Sequence, residues 1–461
     1  MCGIVGIFGH PEASTLAYLS LYALQHRGQE SAGIVTGDAS RLHQRAGMGQ
    51  AADVFSKDVL DQLPGSSAIG HVRYSTAGNS DPTNVQPFLF QHHRGPIAIA
   101  HNGNLVNAAL LRDELETAGS IFQTTSDTEA ILHLTARTQM PDVVDALVEA
   151  LRRVRGAYSL VLLVPGRLIA VRDPHGFRPL SVGKVDGAWV VASETCAFDL
   201  LGAKHIRDLE RGEVVVLDVG GLHSFMPFGP VRPAPCFFEH VYFARPDSLL
   251  FGESVQLVRK RLGEQLYREH PADVDVVIPV PDSGVVAAMG YAHASGKPFD
   301  MGLVRNHYVG RTFIEPTQQI RNFGVRIKLN PVREVLKGKR IALIDDSLVR
   351  GTTSRKIVQL CRDAGASEVH MRISCPPTIG PCYYGIDTPL SEELIASSNS
   401  VPEICRYISA DSLGYLSLEG MLSAAGKERD GVCTACWTDE QPVELPRDQA
   451  AQLRLFEKSR R

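Results

Sequence analysis

Two acids, Asp345 and Asp346, are followed in the chain by Ser347, Arg350, Gly351, Thr352, Thr353 and Ser354. Backbone N–H groups at a helix start point outward with the positive end of the helix dipole, so Gly351 to Ser354 can cradle a phosphate. Carboxylates cannot bind that phosphate. They suit ribose hydroxyls and a hard Mg²⁺, which keeps waters and bridges to substrate phosphates. Acid pair plus phosphate nest therefore suggests a sugar phosphate as ligand. A Walker loop is excluded because the Gly-Lys-Ser/Thr ending is missing. Taken alone, the same acids and threonines could merely cap a helix.

Cys2 offers a second chemistry once Met1 is removed. The freed α-amine has a pKa of about 7.7–8.0. It lies beside its own thiol and can act as general base for it, directly or through water. One residue then supplies nucleophile and base. The chain as written is the precursor of that form. Because Cys2 directly follows Met1, maturation is expected not to depend on cleavage of a longer propeptide.

A third pattern is Cys433-Thr434-Ala435-Cys436, a spacing that lets two thiolates meet one metal centre but needs two more ligands. Cys236 follows a proline-rich stretch, and Cys382 lies in Gly380-Pro381-Cys382-Tyr383-Tyr384-Gly385; the turn residues around both could expose a thiolate. Cys196, Cys361, Cys375 and Cys405 sit in apolar or strand-end contexts that suit burial.

These residues need elements to carry them. Arg340–Asp345 reads as a buried parallel strand, and Arg355–Cys361 has helical apolar spacing, so the acids and threonines occupy a strand-to-helix turn. Val274–Val280 followed by Pro281-Asp282-Ser283-Gly284 repeats that logic, which can put both turns at one edge of a parallel sheet. Tyr158–Val164 and Ala188–Ala192 read as core strands. His175, in Asp173-Pro174-His175-Gly176-Phe177-Arg178, reads as part of a turn with an interface role. The proline-rich run from Pro227 to Pro235 blocks helix and central strand alike and marks a domain boundary, giving domains 2–232 and 233–461.

The 461 residues suffice for two or three domains with large cores. Charge is nearly balanced, 47 basic against 51 acidic side chains, so nothing asks for nucleic acid or an anionic membrane. The apolar start lacks a cationic flank and is broken by glycines, which speaks against a signal peptide, and no apolar run is long enough to span a bilayer. A cytoplasmic location is expected. Nine scattered cysteines argue against a disulfide framework and turn attention to catalysis or metal binding.

The loop from Asp345 to Ser354 closely resembles the 5-phosphoribosyl-1-pyrophosphate (PRPP) loop of type I phosphoribosyltransferases. The resemblance implies that Asp345, Asp346, Ser347, Arg350, Gly351, Thr352, Thr353 and Ser354 bind PRPP, and that Ser283 joins Asp345 and Asp346 around one Mg²⁺. It also implies that the basic stretch Arg305–Ile314 with Arg321–Lys328 is a lid that orders over PRPP and excludes water.

Cys2-Gly3-Ile4-Val5-Gly6, Gln25-His26-Arg27-Gly28-Gln29-Glu30-Ser31-Ala32-Gly33, Gly70-His71-Val72-Arg73-Tyr74-Ser75-Thr76, His101-Asn102-Gly103-Asn104 and Ser126-Asp127-Thr128-Glu129 together resemble the class II glutamine amidotransferase domain. This resemblance covers roughly residues 2–230. It implies an N-terminal-nucleophile hydrolase αββα sandwich, followed here by a type I phosphoribosyltransferase parallel-sheet domain. Its implied roles are catalytic for Cys2, with Asn102 and the Gly103 N–H as oxyanion hole. Arg73 would clamp the α-carboxylate of glutamine and Asp127 its α-ammonium.

Both halves together resemble the glutamine PRPP amidotransferase (amidophosphoribosyltransferase) family, in its iron–sulfur branch. That resemblance implies glutamine hydrolysis, transfer of ammonia to C1 of PRPP, purine nucleotides as feedback inhibitors, and a homotetramer or homodimer. It further implies one [4Fe–4S] cluster on Cys236, Cys382, Cys433 and Cys436. A zinc Cys₄ site is the rival, since thiolate count does not distinguish the two. Two functional alternatives stand beside this reading. Another class II amidotransferase would leave Asp345–Ser354 without an account; a PRPP-sensing regulator would need a DNA-binding module and no glutaminase.

Overall fold

The first strand of the chain, Gly3–Phe8, alternates between two cores. Val5 and Ile7 pack among helices, while Ile4 packs between sheets. Such alternation is the period of a strand buried on both faces. The computed structural model describes residues 1–74, 81–307, 328–388 and 391–446.

Gly3–Phe8 lies inside a seven-stranded antiparallel sheet, in spatial order Lys204–Asp208, Ser181–Val185, Ala188–Ala192, Gly3–Phe8, Ser67–Arg73, Ser31–Gly37 and Leu42–Met48. A second antiparallel sheet has six strands in the order Gly221–Phe225, Val214–Asp218, Arg167–Arg172, Gly156–Val164, Gly95–Leu105 and Phe88–His92. Ile4, Val35, Ile69, Ala98, Ala100, Val161, Leu163 and Val191 fill the space between the sheets. Helices Ala13–Ala23 and Cys196–Leu201 cover the outside of the first. Helices Ala108–Thr117, Thr128–Arg137 and Val143–Leu151 cover the second. The result is the expected αββα sandwich.

Gly156–Val164 shows why a run such as Ser-Leu-Val-Leu-Leu belongs here. Leu160 and Leu162 face the helices, Val161 and Leu163 face the other sheet, and all nine residues are buried. Each such side chain stabilises the fold by about 1.5–3 kcal/mol.

After the proline-rich stretch the architecture changes. Val276–Pro279, Arg340–Asp345, Glu368–Ile373 and Ser412–Tyr415 form a parallel sheet in that spatial order. Helices Val255–Glu269, Val285–Ser295, Thr352–Asp363 and Val401–Ile408 pack around it. Parallel pairing puts every strand-to-helix turn at the same edge, which is where ligands bind in open α/β sheets. The expected lid falls largely on 308–327, outside the described residues.

Candidate active site

Strand alternation delivers the first group of side chains to one place. Cys2 continues the face of Ile4, Asn102 that of Ala98 and Ala100, and Arg73 that of Ile69, all of which look into the space between the sheets. The Cys2 N–H donates to Asn102 Oδ1 at 3.1 Å. That nitrogen would become the α-amine on removal of Met1. The other end of the same amide, Asn102 Nδ2, is buried and has no partner among the described residues. An unpaired buried amide costs about 1–3 kcal/mol unless something accepts from it.

Gly103, next along the strand, has no room for a side chain, because a Cβ there would overlap the Ala157 carbonyl. Arg73 pairs with Glu30 at 2.5 Å, and both Arg73 and Asn102 are buried. Asp127 precedes helix Thr128–Arg137 and accepts from the Leu105 N–H at 2.9 Å, which ties the helix start to the end of the Asn102 strand. His71 faces the His101 carbonyl at 3.2 Å, and burial, reinforced by the Arg73 charge, lowers its pKa to about 3.

Beside Cys2 lies a buried ionic network that joins segments on the two sides of the proline-rich stretch. Arg27 Nε donates to the Cys2 carbonyl at 3.0 Å. Its fork contacts Glu194 and pairs with Glu239 at 2.8 Å. Glu239 also pairs with Arg178 at 3.2 Å, and Arg178 touches the Met1 sulfur. Burial alone would raise the Glu194 carboxyl; His26 and Arg27 instead hold it well below the usual range. The sequence motif contains Arg27 but neither of its carboxylate partners. The available signal was one acid, Glu239, inside the apolar run Cys236-Phe237-Phe238-Glu239-His240-Val241.

The second group lies at the edge of the parallel sheet. Asp345 ends its strand, and both acids are almost wholly buried. Burial first, and the neighbouring Asp346 charge second, push the Asp345 carboxyl well above the ordinary range. Asp346 accepts from Ser347 Oγ at 2.5 Å. Gly351 has φ +74°, a left-handed conformation that glycine adopts without strain, and it turns the chain into helix Thr352–Asp363. Arg350 is held by Glu393 at 3.0 Å. Ser283 stands on the neighbouring turn, which is tied to the acid strand by Val280 N–H to Ile344 O at 2.8 Å. Arg259, also not singled out, donates to the carbonyls of His240 and Ala244 at 2.7 and 2.8 Å, and the Asp346 charge acts on it.

The third group comes from distant segments. Cys236 and Cys433 pair through an isolated backbone β-bridge, and both thiols are free. Burial pushes the Cys236 thiol up to about 11 against the pull of Arg178. Burial, and then the charges of Cys236, Cys433 and Cys382, push Cys436 well above its ordinary value. Cys236 is 6% exposed, so the exposure expected of it is not found: pairing with Cys433 and packing beside Phe237 enclose it. Cys382 is half-buried. Among the described residues, no group of three or more His, Cys, Asp or Glu is arranged to hold a single metal ion.

His175 contacts the Arg232 carbonyl at 2.9 Å and so does touch the segment that follows the sandwich. A cavity of about 230 Å³ bounded by Phe90, His92, Arg94, His133 and Arg167 contains none of the residues above. No helix among the described residues is long and apolar enough to cross a membrane.

Residues 71–199 match a glutamine amidotransferase domain family. Amidophosphoribosyltransferase of Bacillus subtilis is 49% identical over 97% of this chain and 95% of its own length. That of Archaeoglobus fulgidus is 50% identical over 97% and 99%. Amidophosphoribosyltransferase 1, chloroplastic, of Arabidopsis thaliana is 55% identical over 96% and 78%. The solved structure of the B. subtilis glutamine PRPP amidotransferase, complexed with ADP and GMP, superposes with a TM-score of 0.93 at 48% identity, covering 97% of this chain and 98% of that one.

Proposed function

The chain belongs to the amidophosphoribosyltransferase family, and from that premise we propose how its residues divide the reaction. The enzyme is a pentosyltransferase with glutamine amidotransferase activity. It moves the amide nitrogen of glutamine to C1 of PRPP with release of pyrophosphate, the first step of purine biosynthesis.

The observation that carries the glutaminase assignment is Asn102, which accepts from the Cys2 nitrogen at one end and keeps, at the other, a buried NH₂ with no partner among the described residues. Once Met1 is gone, the α-amine takes the Cys2 thiol proton and the thiolate attacks the side-chain amide carbon of glutamine. Asn102 Nδ2 and the Gly103 N–H donate to the oxyanion of the tetrahedral adduct. The amine returns the proton to the departing nitrogen, and ammonia leaves a glutamyl thioester on Cys2. Water hydrolyses it to glutamate through a second adduct in the same hole. Arg73 orients the α-carboxylate and Asp127 the α-ammonium of the substrate.

At the second site the helix start at Gly351–Ser354 holds a phosphate, with Ser347 and Arg350 as further PRPP contacts, and Asp345 and Asp346 orient the ribose. A buried acid pair beside the Ser347 hydroxyl, with Ser283 on the adjoining turn, is an oxygen donor set that would suit Mg²⁺. When bound, Mg²⁺ neutralises charge on the leaving pyrophosphate. Ammonia must arrive unprotonated, which favours direct passage between the halves. We divide the chain into an amidotransferase domain, 2–232, and a phosphoribosyltransferase domain, 233–461.

We place the enzyme in the iron–sulfur branch. Cys236, Cys382, Cys433 and Cys436 are an all-sulfur donor set, with Cys236 and Cys433 neighbours across a backbone β-bridge, and they would suit a [4Fe–4S] cluster that staples the domain junction. We also assign purine nucleotides as inhibitors, the cytoplasm as location, and a homotetramer or homodimer as assembly.

The test is glutamine hydrolysis with and without PRPP, with pyrophosphate release followed in parallel. Glutamate and pyrophosphate are expected in equal amounts when both substrates are present; glutamate without pyrophosphate would contradict the reading.

A further inference from the structure

Gly103 is covered by chain from the far end of the sequence. A Cβ on Gly385 would lie 2.9 Å from the Gly103 carbonyl carbon and 3.0 Å from its oxygen, so the two backbones touch. One residue along, Asn104 Nδ2 donates to the Tyr383 carbonyl at 2.8 Å. The Tyr384 carbonyl accepts from Arg178 Nε at 3.0 Å and Nη2 at 2.7 Å. Its ring stacks on Phe177, centroids 4.3 Å apart and planes 14° apart. Tyr384, Phe177, Ala157 and Val106 belong to one buried cluster, and Ala157 is the cross-strand partner of Asn104.

Glycine has no Cβ to restrict its own φ and ψ, so the orientation of the peptide groups around Gly103 must be fixed from outside. Ala157 does so on the sheet side. On the other side the contact comes from Tyr383, Tyr384 and Gly385, which directly follow Cys382 and stand on the phosphoribosyltransferase side of the linker. We propose that Tyr383–Gly385 is a positioning element for the oxyanion hole: by packing against Gly103 and accepting from Asn104, it holds the Gly103 peptide in the orientation that glutamine hydrolysis needs. This rests on the assignment of Asn102 and Gly103 to the hole. It makes the glutaminase dependent on a loop outside its own domain.

The test uses full-length enzyme carrying Asn104→Leu, which keeps shape and loses the donor, and Gly385→Ala, whose Cβ crowds the Gly103 backbone and whose φ of +108° also strains alanine. A hole held slightly out of place lowers kcat for glutamine by about tenfold to a hundredfold. KM for glutamine, ammonia-dependent synthesis and the rate of Cys2 alkylation by iodoacetamide stay near wild type. Affinity for the aldehyde analogue of glutamine, whose adduct carries an oxyanion, falls in proportion to kcat. Should Gly385→Ala not fold, Asn104→Leu still decides. Wild-type kcat and aldehyde affinity in folded Asn104→Leu overturn the proposal, as do equal losses with glutamine and ammonia, which mark a general structural role. Asn102→Ala is measured alongside. If it retains glutamine turnover, the hole itself is misassigned; if it alone is inactive, only the positioning role is rejected.

Discussion

Arg27 and Glu239 meet at 2.8 Å with neither side chain retaining exposed surface, and they come from opposite sides of the proline-rich linker. Arg178 leans on the same carboxylate at 3.2 Å. Two buried guanidinium groups are therefore balanced by Glu239 together with Glu194.

Glu239→Gln keeps the shape of the side chain and removes its charge, leaving a surplus of buried positive charge. Breaking a buried pair in this way costs about 3–5 kcal/mol. Equilibrium denaturation should show the loss as an earlier unfolding midpoint; a midpoint equal to wild type would mean the network contributes little.

Cys2→Ala should abolish use of glutamine while leaving synthesis from high concentrations of free ammonia, because the nucleophile serves only the first half-reaction. Loss of both activities in a folded variant would remove Cys2 from that role.

Asp345→Asn and Asp346→Asn keep size and remove the charge that we propose orients ribose and metal. Synthesis should fall with either nitrogen donor. Basal glutamine hydrolysis should survive, without its stimulation by PRPP. Unchanged ammonia-dependent activity in either variant counts against the acid pair.

His71 gives a pH signature. Burial, with Arg73 nearby, lowers its folded pKa to about 3, whereas an unfolded histidine titrates near 6.5. The unfolded chain therefore binds more protons between these values, and stability from this residue is fully present above about pH 6.5 and lost as pH falls toward 3. At pH 5 the loss is about 2 kcal/mol. His71→Gln should flatten the wild-type slope of unfolding free energy between pH 7 and 5; parallel slopes would exclude a buried neutral imidazole.

Protein purified without oxygen should be brown, with about four irons and matching sulfide per chain. Chelation of the metal should loosen the junction of Cys236, Cys382 and Cys433. Colourless anaerobic protein with stoichiometric zinc would replace the cluster by the rival site and leave the catalytic assignment standing.

What could be read from the sequence follows from how local each signal is. Val161 and Leu163 alternate with Leu160 and Leu162 because a strand has period two, and Asp345 through Ser354 form a turn whose chemistry is contained in ten consecutive residues. Asn102 and Gly103 were legible through a motif. Its geometric reason, one amide end on Cys2 and the other unpaired, needed coordinates. Glu239 could not be matched to Arg27, because an isolated acid in an aromatic run does not name a partner two hundred residues away. The turn residues around Cys236 could expose its thiolate, but backbone pairing with Cys433, a tertiary contact, encloses it.

The parallel pairing of Val276–Pro279 with Arg340–Asp345 has a thermodynamic side. It brings the Ser283 and Asp345 turns together although a long stretch of chain separates them. A ligand that touches both turns ties off that stretch as a closed loop, as a removable crosslink would, and the unfolded chain cannot keep that connection. A PRPP molecule that contacted both turns would be a structural fastener as well as a substrate, and each turnover that released pyrophosphate would undo it.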